Sequence, residues 1–154
     1  MAPQYQNLEL YAPRIGHPLP ATLDFWVRYA CGDMITNIDL GYIADAAAPY
    51  VIDNYRAKSP DDPKIDGSVI PDNMTFWCPT LSMDLDMKKL LPEEGVEWLH
   101  IRSSAKRIKN GRLDAEVIVM DETGDIICLS RHVAMVVDAS RNYANRDYKA
   151  TEKL

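Results

Sequence analysis

The second half of the chain contains four strand-like segments in succession, and this run constrains the fold more than any other feature. The segments lie at residues 81–87, 97–108, 113–120 and 126–137. In the first of them, Leu and Met alternate with Ser82, Asp84 and Asp86, which is the period of a strand with one apolar face. Asn110 and Gly111 predict a tight hairpin between the second and third segments, because both residues tolerate positive φ. The segments therefore predict an antiparallel meander.

The first half of the chain adds one helix to this meander. Residues 24–29 are rich in aromatic and β-branched side chains, which favours a strand. Between residues 35 and 56 the apolar residues recur three or four apart, so we predict a helix in the middle of that stretch. Asp39 can help cap its start, and Pro49 should end or kink it. The predicted fold class is α+β, an antiparallel sheet wrapped around one central helix.

The chain is predicted to form one domain with short extensions. Its 154 residues suit a single domain of ordinary size, which we assign to residues 22–140. Residues 1–21 contain four prolines and are predicted to form an extended arm. The polar residues 141–154 are predicted to form a tail, and residues 57–73 the one long loop.

Composition and charge argue against several classes of partner. A formal net charge of −6 disfavours nucleic acid, because phosphate binding relies on clustered Lys and Arg. No run approaches the roughly 20 apolar residues of a membrane span. The three cysteines lack CxxC spacing, which is typical of reduced thiols, so a cytoplasmic location is expected. The ending Glu152-Lys153-Leu154 resembles a peroxisomal tripeptide, although Glu stands where a small residue is usual.

Three polar residues interrupt or border apolar patterns and are the candidates for chemistry. Asp45 lies in the apolar stretch 41–48, where a carboxylate loses hydration unless a donor or cation compensates. His132 interrupts the apolar strand 126–137 and can accept a proton near neutral pH. Ser82 is the third. Structural roles stay open for all of them: an Asp on the solvent side of the helix, a Ser on the wet face of the sheet, and a satisfied core histidine.

The pattern alone does not assign these residues to one mechanism. A nucleophilic triad would need specific Ser–His and His–Asp hydrogen bonds, and no GxSxG elbow surrounds Ser82. Asp84 and Asp86 could pair to bind a metal, but they have no histidine at ligand spacing, so no metal is expected. No cofactor is predicted.

Five segments together resemble a known family. They are Phe25–Arg28, Gly41–Asp45, Pro79–Asp84, Glu97–Leu99 and Asp121–Gly124. In order and spacing they are similar to the C-terminal hot-dog domain of type II acyl-CoA thioesterases, which join two hot-dog domains in one chain, and to fungal thioesterase-like relatives. The similarity covers roughly residues 22–138. It implies a single hot-dog domain that hydrolyses acyl thioesters.

The resemblance also implies a catalytic set. In the family, an Asp near the start of the central helix, a Thr or Ser on the following strand and a Gln on the last strand hold and polarise a water for attack on the thioester carbonyl. By position these roles fall on Asp45, Ser82 and His132. The change from Gln to His matters, because a Gln donates and accepts without titrating, whereas a His could become cationic or act as a base.

A partner and a binding groove follow from the same resemblance. A lone hot-dog domain is expected to pair with a copy of itself, as a homodimer or higher oligomer, extending the sheet across a two-fold axis. The acyl groove would lie at that interface, between sheet and helix. The candidate substrate-binding residues are Met74, Phe76, Trp77 and Asp84. Ordinary core packing is the alternative for the three apolar residues.

The predicted function is hydrolysis of an acyl thioester by water activated at Asp45, with Ser82 and His132. The Asp and His also suit proton abstraction beside a carbonyl, so a non-hydrolytic dehydratase, isomerase or cyclase of secondary metabolism is an alternative. A non-catalytic acyl-binding module is a second alternative.

Overall fold

The computed structural model describes residues 7–17, 19–52 and 76–138, which form eight strands, a short α-helix, a 3-10 helix and their connections. The elements of these ranges are β1 (Leu8–Tyr11), β2 (Thr22–Tyr29), α1 (Leu40–Ala47), a 3-10 helix (Ala48–Tyr50), β3 (Phe76–Trp77), β4 (Thr80–Met87), β5 (Leu99–Lys109), β6 (Arg112–Met120), β7 (Ile126–Met135) and β8 (Val137–Asp138). Six strands form one antiparallel sheet in the order β1-β2-β5-β6-β7-β4. Strands β3 and β8 pair separately. The predicted α+β class, an antiparallel sheet with one helix, is confirmed.

The meander forms because its strands alternate and its turn residues allow a tight reversal. Asn110 and Gly111 have φ of 53° and 69°, as the predicted hairpin between β5 and β6 requires. The inner face of the sheet is apolar, and its fully buried members include Val27, Leu99, Ile101, Leu113, Val117 and Val119. Burial of each such side chain contributes about 1.5–3 kcal/mol relative to exposure. The core therefore lies between this face and the helix.

Helix α1 packs on the sheet through a face of mostly small residues. Leu40, Ile43, Ala44 and Ala47 are buried, and the helix contacts β4, β5, β6 and β7. The α-helix ends before Pro49, as predicted, and a 3-10 turn follows. None of the described helices is long and apolar enough to cross a membrane.

The predicted side-chain cap by Asp39 is wrong. Its carboxylate accepts hydrogen bonds from the Thr36 amide and hydroxyl, both at 2.8 Å, and from the Tyr29 hydroxyl at 2.9 Å. The side chain makes no cap hydrogen bond to the helix. Asp39 therefore anchors the helix start to strand β2 instead of capping its own amides.

The arm predicted over residues 1–21 contains a strand of the sheet. Leu8 and Leu10 pack against the core, and β1 pairs antiparallel with β2 along its whole length. Glu9 on the other face accepts from Arg28 at 2.7 Å. The apolar–polar alternation of a strand is present at 8–11, but the prolines that follow it predicted an arm. The loop at 57–73 and the tail at 141–154 lie outside the described residues.

A β-bulge in strand β4 decides which of its side chains face the helix. Thr80 is opposite Ala134, yet Ser82 is opposite Val133, so the register shifts by one residue at Leu81. Residues directly opposite in an antiparallel pair share a face. Thr80 therefore faces the helix side with buried Ala134, whereas Ser82 faces the other way. Leu81, expected on the apolar face, is 53% exposed at the bulge.

Candidate active site

Asp45 lies on α1 at the place where the helix meets the edge strand β4. Its side chain is 50% exposed, although Ala44 and Ala46 beside it are buried. The Thr80 hydroxyl donates to Asp45 Oδ1 at 2.7 Å. The apolar stretch predicted a dehydrated carboxylate, but the helix turns this one residue towards solvent and a hydroxyl donor. The Asp45 carboxylate is thus accessible to solvent and oriented by the Thr80 hydroxyl.

His132 lies beneath this carboxylate in strand β7. Its side chain is fully buried, with Met83 and Ala115 opposite it on the two neighbouring strands. Nε2 is 2.8 Å from Ser130 Oγ, and Nδ1 is 3.9 Å from Asp45 Oδ1. Burial lowers the pKa of His132 below its ordinary value, although the nearby carboxylates oppose that shift. The imidazole is therefore neutral near pH 7.

Ser82 is not part of this cluster. It lies on the face of β4 turned away from the helix, where Asp84 also lies. The Asp84 carboxylate accepts from the backbone amide of Arg131 at 2.9 Å, so it braces the strand pair on that outer face. The structure brings Asp45 and His132 together, and it supplies the hydroxyl from Thr80 where the sequence predicted Ser82.

The candidate apolar substrate-binding residues differ in their burial. Met74 lies outside the described residues. Phe76 packs partly buried against the core, which supports the core-packing interpretation for that residue. Trp77 is 48% exposed and pairs with Val137 in the small β3–β8 ribbon. Of the two apolar candidates among the described residues, Trp77 is the more exposed.

Two residues of the cluster were missed in the sequence. Thr80 directly precedes the alternating segment, and strict alternation assigns it the same face as Ser82. Only the bulge at Leu81 separates the two hydroxyls. Ser130 was recognisable, because it lies two residues before His132 and strand alternation places both on one face.

Two further features lie apart from this cluster. A cleft of about 600 Å³ is lined by Tyr11, Trp26, Trp98 and Glu122. It lies on the outer face of the sheet, since Trp26 alternates with the buried Phe25 and Val27. Among the described residues, no group of three or more His, Cys, Asp or Glu side chains could hold a metal ion.

Comparison with known families matches nearly the whole chain to one of them. The model of the acyl-CoA thioesterase C-terminal domain family matches residues 2–136. The chain belongs to this family. Family membership confirms the resemblance drawn from the five sequence segments.

A curated relative supports the same assignment. The thioesterase-like protein TwmA of Talaromyces wortmannii is 39% identical over 158 residues, covering 94% of this chain and 45% of TwmA. The chain thus spans less than half the length of this curated relative.

Solved structures share the fold. An acyl-CoA thioesterase II, TesB2 of Mycobacterium marinum, superposes with a TM-score of 0.60 at 14% identity, over 90% of this chain and 52% of that one. A Streptococcus mutans protein bound to acetyl-CoA gives a TM-score of 0.56 at 9% identity, over 84% of this chain and 90% of that one. These similarities confirm the hot-dog fold.

Proposed function

We propose that this protein hydrolyses an acyl thioester, with Asp45 as general base, Thr80 orienting that carboxylate and His132 beside it in the site. The observation that carries the proposal is the half-exposed Asp45 carboxylate, bound by the Thr80 hydroxyl at 2.7 Å and backed by buried His132 at 3.9 Å. Membership of the acyl-CoA thioesterase family supports the substrate class. The acetyl-CoA bound to the Streptococcus mutans protein supports a coenzyme A thioester as the first substrate to test.

Hydrolysis at this cluster needs one proton acceptor and one water. Thr80 engages Oδ1 of Asp45, which leaves Oδ2 to take a proton from water as the water oxygen attacks the thioester carbonyl carbon. The tetrahedral intermediate then expels the thiolate as the carbonyl re-forms, and the proton passes to the sulfur. The products are a carboxylic acid and a free thiol. General-base assistance of this kind contributes about 10²–10⁴ in rate.

The position of the cluster at the sheet edge supports a paired assembly. Strand β4 ends the six-stranded sheet of the described residues. Its exposed apolar side chains are Leu81, Met83 and Met87, which are 53%, 37% and 38% exposed. An edge strand of this kind is a template for pairing with another strand. A second copy of the chain docked there would cover the surface beside Asp45 and could complete an acyl groove with it.

A non-hydrolytic reaction is a second candidate, and a specific observation favours it. His132 is a titratable base beside Asp45, and the same pair suits removal of a proton next to a carbonyl in a dehydratase, isomerase or cyclase. A fold of this kind supports several chemistries. Hydrolysis remains the proposal because the family match is to thioesterases.

The test is release of free thiol from acyl-CoA substrates of increasing chain length. Wild-type protein and Asp45→Asn are assayed side by side, with spontaneous hydrolysis subtracted and circular dichroism used to compare folding. We expect turnover by the wild type and a loss of about 10²–10⁴ in kcat for the variant.

Other outcomes of this assay would favour a different role for Asp45 or a different function. A folded Asp45→Asn protein with full activity would remove Asp45 from the mechanism. An absence of turnover across the panel would contradict hydrolysis and favour the non-hydrolytic reaction. If acyl-CoA binds without reaction, and Asp45→Asn and His132→Gln bind it with unchanged affinity, the protein is a non-catalytic acyl-binding module.

A further inference from the structure

Ser130 and His132 form a buried pair whose hydrogen bonds have only one consistent arrangement. The Ser130 hydroxyl donates to the backbone carbonyl of Asp84 at 2.6 Å. A hydroxyl has a single hydrogen, so Ser130 Oγ can only accept in its second contact, the 2.8 Å bond to His132 Nε2. The hydrogen of a neutral His132 therefore resides on Nε2.

This arrangement leaves the other ring nitrogen as an acceptor. A neutral imidazole carries one N–H and one lone pair, so the lone pair is on Nδ1. Among the described residues Nδ1 has no hydrogen-bond partner, and it faces Asp45 Oδ1 at 3.9 Å. A buried lone pair on Nδ1 that faces a second acceptor is unfavourable until a proton comes between them.

The groups that surround the ring are few. Asp45 faces it from α1, and Asp84 acts through its charge from the outer face of β4; both carboxylates favour a protonated ring. Ala115 is the residue opposite on β6. Burial acts in the other direction and is the largest influence on the pKa of His132, so the ring is neutral and its Nδ1 lone pair is available at neutral pH.

We propose that Ser130 is a positioning residue that fixes the tautomer of His132, so that Nδ1 accepts the proton which Asp45 takes from water. This inference rests on the proposed hydrolysis. Water loses a proton to Oδ2 of Asp45 as its oxygen attacks the carbonyl carbon. The resulting carboxylic acid leaves Thr80 and rotates about its Cβ–Cγ bond, so that Oδ2 reaches Nδ1 and passes that proton to it. The ring becomes an imidazolium whose Nε2–H still donates to Ser130. The departing thiolate takes the proton back by the same route.

The tautomer matters because Asp45 alone would select the opposite one. Without Ser130, the ring would place its hydrogen on Nδ1 and donate it to the carboxylate, since a hydrogen bond to a charged acceptor is the stronger one. A ring with hydrogen on Nδ1 cannot accept a proton from Asp45. Ser130 therefore holds His132 in the tautomer that the carboxylate by itself would disfavour.

Nuclear magnetic resonance of ¹⁵N-histidine protein tests the tautomer without any substrate. Two-bond ¹H–¹⁵N correlations distinguish hydrogen on Nε2 from hydrogen on Nδ1, and His132→Gln identifies the signals of His132 by their disappearance. We expect hydrogen on Nε2 in the wild type and in Ser130→Thr, which keeps the hydroxyl, and hydrogen on Nδ1 in Ser130→Ala. Hydrogen on Nδ1 in the wild type, or an unchanged tautomer in Ser130→Ala, would overturn the inference. If Ser130→Ala does not fold, the wild-type spectrum alone decides.

Kinetics test the proton transfer. We expect kcat for thioester hydrolysis to fall about 10²-fold in Ser130→Ala, the loss of one acid–base contribution, with KM nearly unchanged. Ser130→Thr should stay within a few-fold of wild type. Full kcat in a folded Ser130→Ala protein whose tautomer has changed would overturn the proton route. A protein that shows the predicted tautomers but hydrolyses no thioester would contradict the proposed function and leave the role of Ser130 in fixing the tautomer intact.

Discussion

The hydroxyl of Thr80 lies 2.7 Å from Oδ1 of Asp45 and joins the edge strand β4 to helix α1. The two residues are 35 positions apart in the chain and come together only because the bulge at Leu81 turns Thr80 towards the helix. The contact orients a carboxylate that is otherwise half exposed. In the proposed hydrolysis this hydroxyl acts by orienting Asp45.

Removing the Thr80 hydroxyl should lower hydrolysis about tenfold. Thr80→Val keeps the shape of the side chain but leaves Asp45 free to rotate. A hydrogen bond to a charged group contributes about 1.5–3 kcal/mol, and the lower end applies at an exposed site. About 1.4 kcal/mol corresponds to a factor of ten. Thr80→Ser, which restores the hydroxyl, should recover most of the rate in the same thiol-release assay.

Ser82→Ala is the matched control for Thr80. It removes a hydroxyl from the same strand, two residues away, but from the face turned away from Asp45. We expect its rate to stay within about twofold of wild type, since surface substitutions of this kind change little. A large loss in Ser82→Ala together with a normal rate in Thr80→Val would contradict the assignment of the hydroxyl to Thr80.

The strands of the meander were predictable because local pattern determines them. Alternation specifies which residues of β5, β6 and β7 are buried, and Asn110-Gly111 specifies the hairpin. The bulge at Leu81 was not predictable in the same way, because it depends on the register of β4 against β7, a strand about 50 residues later. One extra residue moves every side chain before it to the other face. For that reason the proximity of Asp45 and His132 could be expected from the sequence and the contact of Thr80 with Asp45 could not.

Activity should decline at acid pH as His132 becomes protonated. Burial lowers the pKa of His132 below its ordinary value of about 6.5, so the neutral ring persists below that pH and activity is lost as pH falls through the lowered pKa. The measurement is kcat/KM between about pH 5 and 8, which reports groups of the free enzyme.

Two histidine variants separate this effect from general acid sensitivity. His132→Gln should lose the acid limb attributed to His132, because an amide does not titrate in this range. His100→Gln should keep it. His100 also has a pKa lowered by burial, but it lies on the outer face against Trp26. An acid limb that persists in His132→Gln and vanishes in His100→Gln would assign the titration to His100 and contradict this prediction.

Gly95 should tolerate no side chain. Its φ is +79°, and a Cβ there would lie 2.7 Å from the carbonyl oxygen of Ile35, which accepts from the Val96 amide at 2.9 Å. Gly124 has a similar φ of +88° with nothing within 4 Å of an added Cβ. Gly124→Ala should cost about 1 kcal/mol for backbone strain alone. Gly95→Ala should cost about 1–3 kcal/mol more for the collision, measured by urea unfolding; equal losses would show that the Ile35 contact gives way freely.

Self-association through β4 should depend on Leu81. This side chain is 53% exposed beside the open edge of the sheet, and a lysine there would bring a charge into an apolar contact between two copies. We expect light scattering after size-exclusion chromatography to give twice the chain mass for the wild type and a mass close to one chain for Leu81→Lys.

Ile15→Lys is the control, because Ile15 is 93% exposed and follows β1, the strand at the opposite end of the sheet. A monomeric wild type, or equal dissociation in both variants, would contradict pairing at β4. Loss of thioester hydrolysis together with the dimer in Leu81→Lys would further indicate that the site at Asp45 is complete only when a second copy covers it.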